Sequence, residues 1–273
     1  MPLLRRVILE HLKSLLPYRK QLGRAVRRSE PRTPERMEAI ARERLWHLNG
    51  MEAVNSLYEF GVGEDGISLL SFLASGIPNI YASDISRMLD LSALNTYAQY
   101  MHLPGFPADS IAHLGELGIQ YAAPARTVDH LGQFCNLDLI CSTAVAEHIP
   151  EAELRNIFQA SFRALRDGGV FSIIVDYTDH WHHLDKRIPE YNFYRYSTHT
   201  WRFFQSRAMY QNRLRNSDIE SIAGETGFSK EQQEITRADQ RGLPAKRADC
   251  FRNYEIEDLL TARAAIKFRK PKP

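Results

Sequence analysis

Apolar positions along the chain alternate between two rhythms. Short runs at Val54 to Phe60, Asn79 to Ser83, Ile119 to Ala122, Leu137 to Ser142 and Val170 to Val175 have the length of buried strands. Between them, apolar residues recur at helical spacing over Ile67 to Ser75 and Met88 to Met101. The strongest stripe is Leu154, Ile157, Phe158, Phe162 and Leu165, with Pro150 suited to the first turn and Gly168-Gly169 as the stop. Ser217-x-x-Glu220 reads as a capping box that opens a further helix, and Gly227 reads as its end. Glu231 to Thr236 and Ala262 to Phe268 are the final strands. This order predicts an α/β fold with a doubly wound, mostly parallel seven-stranded sheet, an antiparallel last strand and a ligand at the carboxyl edge.

The charge pattern divides the chain. Residues 1–50 read as a basic helical extension and residues 51–273 as the main domain. Leu4, Val7, Ile8, Leu12, Leu15 and Leu16 recur at helical spacing among Arg5, Arg6 and Lys13, which predicts a basic amphipathic helix over Met1 to Leu16. Such a helix either packs on its own domain or makes a peripheral contact with an anionic membrane surface. Pro31 and Pro34 mark a linker before a second helical stretch at about Glu35 to Leu48. The formal net charge is only +2, so global charge does not call for nucleic acid. Three cysteines without CxxC spacing indicate neither a disulfide framework nor a zinc site, and a reducing cytoplasm is expected.

The chemistry starts at Tyr58-Glu-Phe-Gly-Val-Gly-Glu-Asp-Gly66. A strand closes on Glu59 and Phe60, then Gly61, Gly63 and Gly66 permit a tight turn into a helix. Asp84 closes the next strand, where a carboxylate reaches ribose hydroxyls. The pattern fits a nicotinamide dinucleotide or S-adenosylmethionine equally in its glycines. Glu59 separates the two, because a carboxylate there repels a pyrophosphate and attracts the ammonium of a methionine tail.

Glu59-Phe-Gly-Val-Gly63 resembles the first motif of class I S-adenosylmethionine-dependent methyltransferases. Asp138-Leu-Ile-Cys-Ser-Thr-Ala-Val-Ala-Glu-His-Ile-Pro150 resembles their fourth-strand motif, and Leu165-Arg-Asp-Gly-Gly-Val-Phe-Ser-Ile-Ile-Val175 their fifth. Segments 191–197 and 210–218 are similar to bacterial methyltransferases of polysaccharide or natural-product biosynthesis. The resemblance implies a Rossmann-like sheet and S-adenosyl-L-methionine as cofactor. It implies that Glu59, Phe60, Gly61 and Gly63 form the methionine-end loop, that Asp84 takes the ribose hydroxyls and that Ile85 lies on the adenine. Ser142 and Thr143 would contact the methionine portion. Two departures stand out: Asp65 fills the usual third glycine slot, and Ala122-Ala-Pro-Ala-Arg126 offers no acid for the adenine edge.

Methyl transfer to a hydroxyl needs a base to take its proton. His180 is the first candidate and His148 the second, with Asp176 and Tyr177 beside them after the fifth strand. The mixture of carboxylates and imidazoles over 176–185 fits no metal template, and no metal is expected. Residues 176–215 are rich in aromatics and read as an acceptor lid, with Tyr191, Asn192, Tyr194, Arg195 and Arg213 as substrate contacts. The expected activity is S-adenosylmethionine-dependent O-methylation of a small molecule or glycan. Ser142-Thr143-Ala144 replaces the Asn/Asp-Pro-Pro-aromatic signature of amino-group DNA methyltransferases. The alternatives are cyclisation or cleavage of the cofactor itself with release of methylthioadenosine, a NAD-dependent oxidoreductase, and a non-catalytic assembly partner.

Overall fold

The computed structural model describes Val7, residues 33–206 and residues 209–273. The predicted helix over Met1 to Leu16 lies outside the described residues except for Val7. Strands β1 (Ser56–Phe60), β2 (Asn79–Ser83), β3 (Ile119–Ala122), β4 (Leu137–Thr143), β5 (Leu165–Asp176), β6 (Ser229–Arg237) and β7 (Thr261–Arg269) form one sheet. Its order is β3-β2-β1-β4-β5-β7-β6. Strands β1 to β5 pair in parallel, and β7 runs antiparallel to both β5 and β6. The doubly wound sheet expected from the sequence is therefore present, with the chain reversing direction across the sheet at the β1–β4 pair.

Strand register sorts the side chains onto two faces, because successive residues point to opposite sides. Tyr58 pairs with Ile140, and Ile140 with Phe171, on one face. There Phe60, Phe171, Ile173 and Phe268 pack against Leu154, Ile157 and Phe158 of α6 (Glu151–Ala164) and Ile219 and Ile222 of α9 (Asn216–Thr226). The opposite face carries Leu57, Leu139, Cys141 and Val170. It is covered by α1 (Pro34–Leu45), α2 (Ile67–Ala74), α3 (Leu91–Tyr100) and α4 (Ile111–Glu116). A short α5 (Thr127–Leu131) completes the connection into β4. Among the described residues, no helix is long and apolar enough to cross a membrane.

Most predicted ends shifted by one to three residues, and two boundary signals play a different part from the one expected. The α6 stripe was expected to run to Gly168-Gly169, but Leu165 takes an extended backbone and opens β5. Leu137 pairs with Leu165 and Leu139 with Val170, so residues 166–169 bulge out of the ladder. Gly168 has φ +75°, and a Cβ on Gly169 would lie 2.8 Å from the Arg166 carbonyl. These glycines serve that bulge rather than a helix stop. The capping box also shifts. Helix α9 starts at Asn216, and the Arg215 amide donates to Asp218 Oδ2 at 2.7 Å, while Glu220 accepts from Asn216, Lys230 and Gln233.

The segment after β5 holds α7 (His180–Leu184) and α8 (Thr198–Arg202), and a four-residue helix, α10 (Ile256–Leu259), precedes β7. Trp181, Tyr191, Phe193, Tyr194 and Trp201 pack with Phe251 and Leu259 into a third apolar cluster, to which Val7 belongs. Arg215 is fully buried and stitches this cluster to the sheet. It donates to the carbonyls of Tyr177, Asp258 and Thr261, and its guanidinium lies 4.9 Å from the Tyr177 ring and 5.3 Å from the Tyr194 ring.

Phe158 sits edge-on to Phe171 with ring centroids 4.7 Å apart, and also meets Phe228 and Phe268. Phe158→Ala is expected to cost about 3–5 kcal/mol. Urea unfolding followed by circular dichroism measures this as a lower midpoint at unchanged slope.

Candidate functional site

The carboxyl ends of β1, β2, β4 and β5 converge where the strand order reverses. At the end of β1 the chain must turn at once into α2. Gly61 and Gly63 take φ values of +75° and +82°, a region costly for other residues. Gly61 is also a point of close approach: a Cβ there would lie 2.4 Å from Val145 Cγ2, on the loop that follows β4. The glycine loop and the 138–150 segment are therefore packed on each other. Gly63 differs, since a Cβ there would meet nothing within 4 Å. Asp65, in the third glycine slot, accepts from the Ile67 amide at 3.1 Å and so helps start α2.

Glu59 is buried, and its Oε2 accepts from the Ser68 hydroxyl of α2 at 2.6 Å. Burial pushes its carboxyl up to about 7, opposed by that hydroxyl and by Arg44. Asp84 ends β2. Burial raises it to about 6, opposed by the Tyr121 hydroxyl and by the Gly63 and Val62 amides. Tyr121 donates to Asp84 Oδ2 at 2.8 Å. Sequence reasoning missed Tyr121, whose only signal was its place on the strand beside Asp84. Next to Asp84, Ile85 is 82% exposed, an apolar side chain left facing solvent at the mouth of the loop.

Several predicted contacts point inward. The Phe60 ring stacks on Phe171 in the core, leaving its backbone to the loop. Ser142 donates to the Phe60 carbonyl at 2.9 Å, which ties β4 to the start of the glycine turn. Thr143 Oγ1 is bonded to His47 Nε2 at 2.8 Å, and His47 Nδ1 to Ser172 Oγ at 2.7 Å. His47 was not foreseen. It is fully buried, and burial together with Arg44 and Lys267 pushes its imidazole well below its ordinary value.

The candidate acid–base groups do come together. His148 follows β4, His180 follows β5, and their rings lie 4.7 Å apart. Burial, aided by His148, lowers His180 to about 4, so its ring is neutral at neutral pH. Asp176 accepts from His183 Nε2 at 3.0 Å and from the Thr178 hydroxyl and amide, which hold its carboxyl well below the usual range despite burial. Tyr177 is buried, and its hydroxyl faces Asn216 at 3.4 Å. Glu147 is buried beside the histidines, and its Oε2 has no hydrogen-bond partner among the described residues.

The predicted acceptor contacts are mostly spent within the third cluster. Tyr191 and Tyr194 are fully buried, and their hydroxyls donate to the Leu260 and Leu259 carbonyls. Asn192 donates to Asp179 Oδ2. Arg213 is buried, bonded to the Phe193 and Tyr196 carbonyls and stacked on Trp201 and Phe251. Arg195 is exposed and lines a shallow basic hollow with Lys246 and Arg247.

No family model matches the chain, and no curated protein matches its sequence. Solved structures match its backbone. A candidate S-adenosylmethionine-dependent methyltransferase from Listeria monocytogenes superposes with a TM-score of 0.52 at 12% identity, covering 86% of this chain and 100% of its own. A candidate methyltransferase from Bacillus halodurans gives 0.51 at 12% identity, with 86% and 100% covered. Phosphoethanolamine N-methyltransferase 2 of Haemonchus contortus, solved with S-adenosyl-L-methionine, gives 0.51 at 17% identity, covering 86% of this chain and 53% of its own. The chain has the class I methyltransferase fold. In that methyltransferase fold the Gly61–Gly63 turn, Asp84 and the His148–His180 pair all lie at the carboxyl edge of one sheet, where open α/β folds bind ligands.

The raised Glu59 carboxyl has a consequence for stability. Between pH 4.5 and about 7 the folded chain holds a proton that the unfolded chain releases. Its contribution is therefore present at low pH and lost as pH rises through that window. Glu59→Gln is expected to flatten the fall of thermal stability from pH 5 to 7, measured by calorimetric melting across that range.

Proposed function

We propose that the protein is an S-adenosylmethionine-dependent methyltransferase that acts at oxygen on a small molecule or glycan. The observation that carries this reading is the β1–β2 edge: a glycine loop at positive φ, a buried carboxylate at Asp84 and an uncovered apolar side chain at Ile85. These residues fit the cofactor. Open space at Gly63 admits a close ligand, Asp84 can accept from ribose hydroxyls, and Ile85 offers an apolar surface to adenine. Glu59, poised near neutrality, would favour the methionine ammonium by giving up its proton. Ser142 and Thr143 act by holding the loop and strand ends through Phe60 and His47.

When bound, S-adenosylmethionine supplies a methyl group already activated on a sulfonium. The chain then has to align an acceptor, exclude water and remove a proton. Neutral His180 is the base in this reading: its ring nitrogen takes the acceptor hydroxyl proton as the oxygen gains the methyl group. His148 lowers its basicity, while the ionised Asp176 steadies the charge formed. The aromatic insertion that follows β5 would wall this edge in such an enzyme, and Arg195, exposed in a hollow with Lys246 and Arg247, is the substrate-contact candidate left free among the described residues for an anionic acceptor group.

Calorimetry with S-adenosylmethionine and NAD side by side tests the cofactor. Binding of the former alone is expected, and it should weaken as pH falls below about 6 and Asp84 is protonated. Asp84→Ala is expected to lose about 10–100-fold in affinity, the scale of a hydrogen bond to a charged group. NAD binding alone would sink the proposal. Release of methylthioadenosine without added acceptor would favour the cofactor-consuming reaction instead.

A further inference from the structure

We propose that Glu147, His148 and His180 bind one first-row divalent metal ion, with zinc the best match, between the carboxyl ends of β4 and β5. One ligand atom from each residue lies within 4.8 Å of the others. Two imidazole nitrogens and one carboxylate oxygen suit zinc or a neighbouring transition ion, whereas magnesium and calcium prefer oxygen alone.

Three further observations converge on this place. Glu147 is 3% exposed, and its Oε2 has no hydrogen-bond partner among the described residues. A buried carboxylate oxygen left without a donor is costly unless it holds its proton, and a cation between it and the imidazoles removes that cost in the proton's place. His148 Nδ1 lies 3.0 Å from the Tyr210 carbonyl. A carbonyl only accepts, so Nδ1 carries the hydrogen and Nε2 keeps its lone pair, the arrangement typical of metal-binding histidines. His180 makes no ring hydrogen bond among the described residues, and its ring stands 4.7 Å from that of His148.

A second group, Asp176, His180 and His183, shares the His180 ring. Its carboxylate is already bonded to His183 and Thr178, so the ion is assigned to the Glu147 side. Exposed His148 gives the ion a route in from solvent. Three protein ligands leave positions open, as in catalytic rather than structural sites. The site itself does not depend on the methyltransferase reading. Its role does: with an ion bound, His148 and His180 would serve as ligands, the ion would lower the pKa of the acceptor hydroxyl so that its proton leaves to solvent, and the role of His180 as base belongs to the metal-free chain.

The test uses the full chain without a histidine tag, stripped with a chelator and dialysed. Zinc is titrated by calorimetry, and cobalt by visible absorption, which reads ligand number and geometry without any turnover. One equivalent per chain is expected, with affinity lowered at least about tenfold in Glu147→Gln and in His180→Ala, and changed less in His183→Ala. Glu147→Gln keeps the side-chain volume, so it carries the test should His180→Ala fail to fold by circular dichroism. Absence of saturable binding near one equivalent overturns the proposal. So does unchanged affinity in Glu147→Gln, or a loss confined to His183→Ala. S-adenosylmethionine titrated into the same stripped samples reports on the cofactor separately, so failure of either reading is seen independently of the other.

Discussion

The rest of the structure depends on β1 and β4 lying side by side while their crossovers leave in opposite directions. Leu57, Tyr58 and Glu59 pair with Leu139, Ile140 and Cys141, but β1 leads outward to β2 and β4 leads outward to β5. Helices on the two sides cannot close the gap at this reversal, so the carboxyl ends of both strands face a crevice. The chain has to turn sharply beside a loop coming from the other strand. That is why Gly61 has no room for a Cβ next to Val145. Ala144 shows the same constraint from the β4 side. It is not glycine, yet it takes φ +53°, a strained backbone held by the hydrogen bond that its N–H donates to the Ile174 carbonyl.

A crevice at the end of a buried sheet places polar groups where water is scarce, and each must find a partner. Glu59 uses Ser68, Asp84 uses Tyr121, and Thr143 and Ser172 share His47. These bonds tie the strand ends to α2, to β3 and to the segment after α1. Arg215 does the same for the insertion, joining the ends of β5 and β7 through their carbonyls. A positive charge held among carbonyls and aromatic rings is stabilised without a carboxylate partner. The insertion is thereby fixed relative to β5, and His180 and Asp176 are held with it.

The centre of the sheet was legible in the sequence because β1, β4 and β5 are buried on both faces and show as largely apolar runs, while the outer strands are more exposed. Asn79–Ser83 and Ile119–Ala122 were placed to the residue. The glycine turn and Asp84 were legible because backbone conformation and charge leave residue-specific marks. Gly168-Gly169 misled because a glycine pair marks positive φ without saying whether a helix has ended or a strand has bulged. Arg213 and Tyr194 were read as acceptor contacts from their type, but type does not reveal that carbonyls 17 and 65 residues away along the chain absorb their polar groups. His47 and Tyr121 carry no motif. Their partners lie far along the chain and meet only across neighbouring strands.

The same distinction explains the acid–base edge. His148 and His180 are far apart in sequence, and the parallel pairing of β4 with β5 sets them ring to ring. Their surroundings then push adjacent groups in opposite directions. Burial and a second imidazole keep His180 neutral, while His183 and Thr178 keep Asp176 charged. A neutral nitrogen beside a fixed carboxylate can accept a proton or bind a cation with little rearrangement. Glu147 separates those two uses. A base needs only the histidine and its carboxylate, whereas the Glu147 carboxyl, whose Oε2 has no donor among the described residues, is relieved either by holding its proton, as burial pushes it up to about 8, or by a cation placed against it.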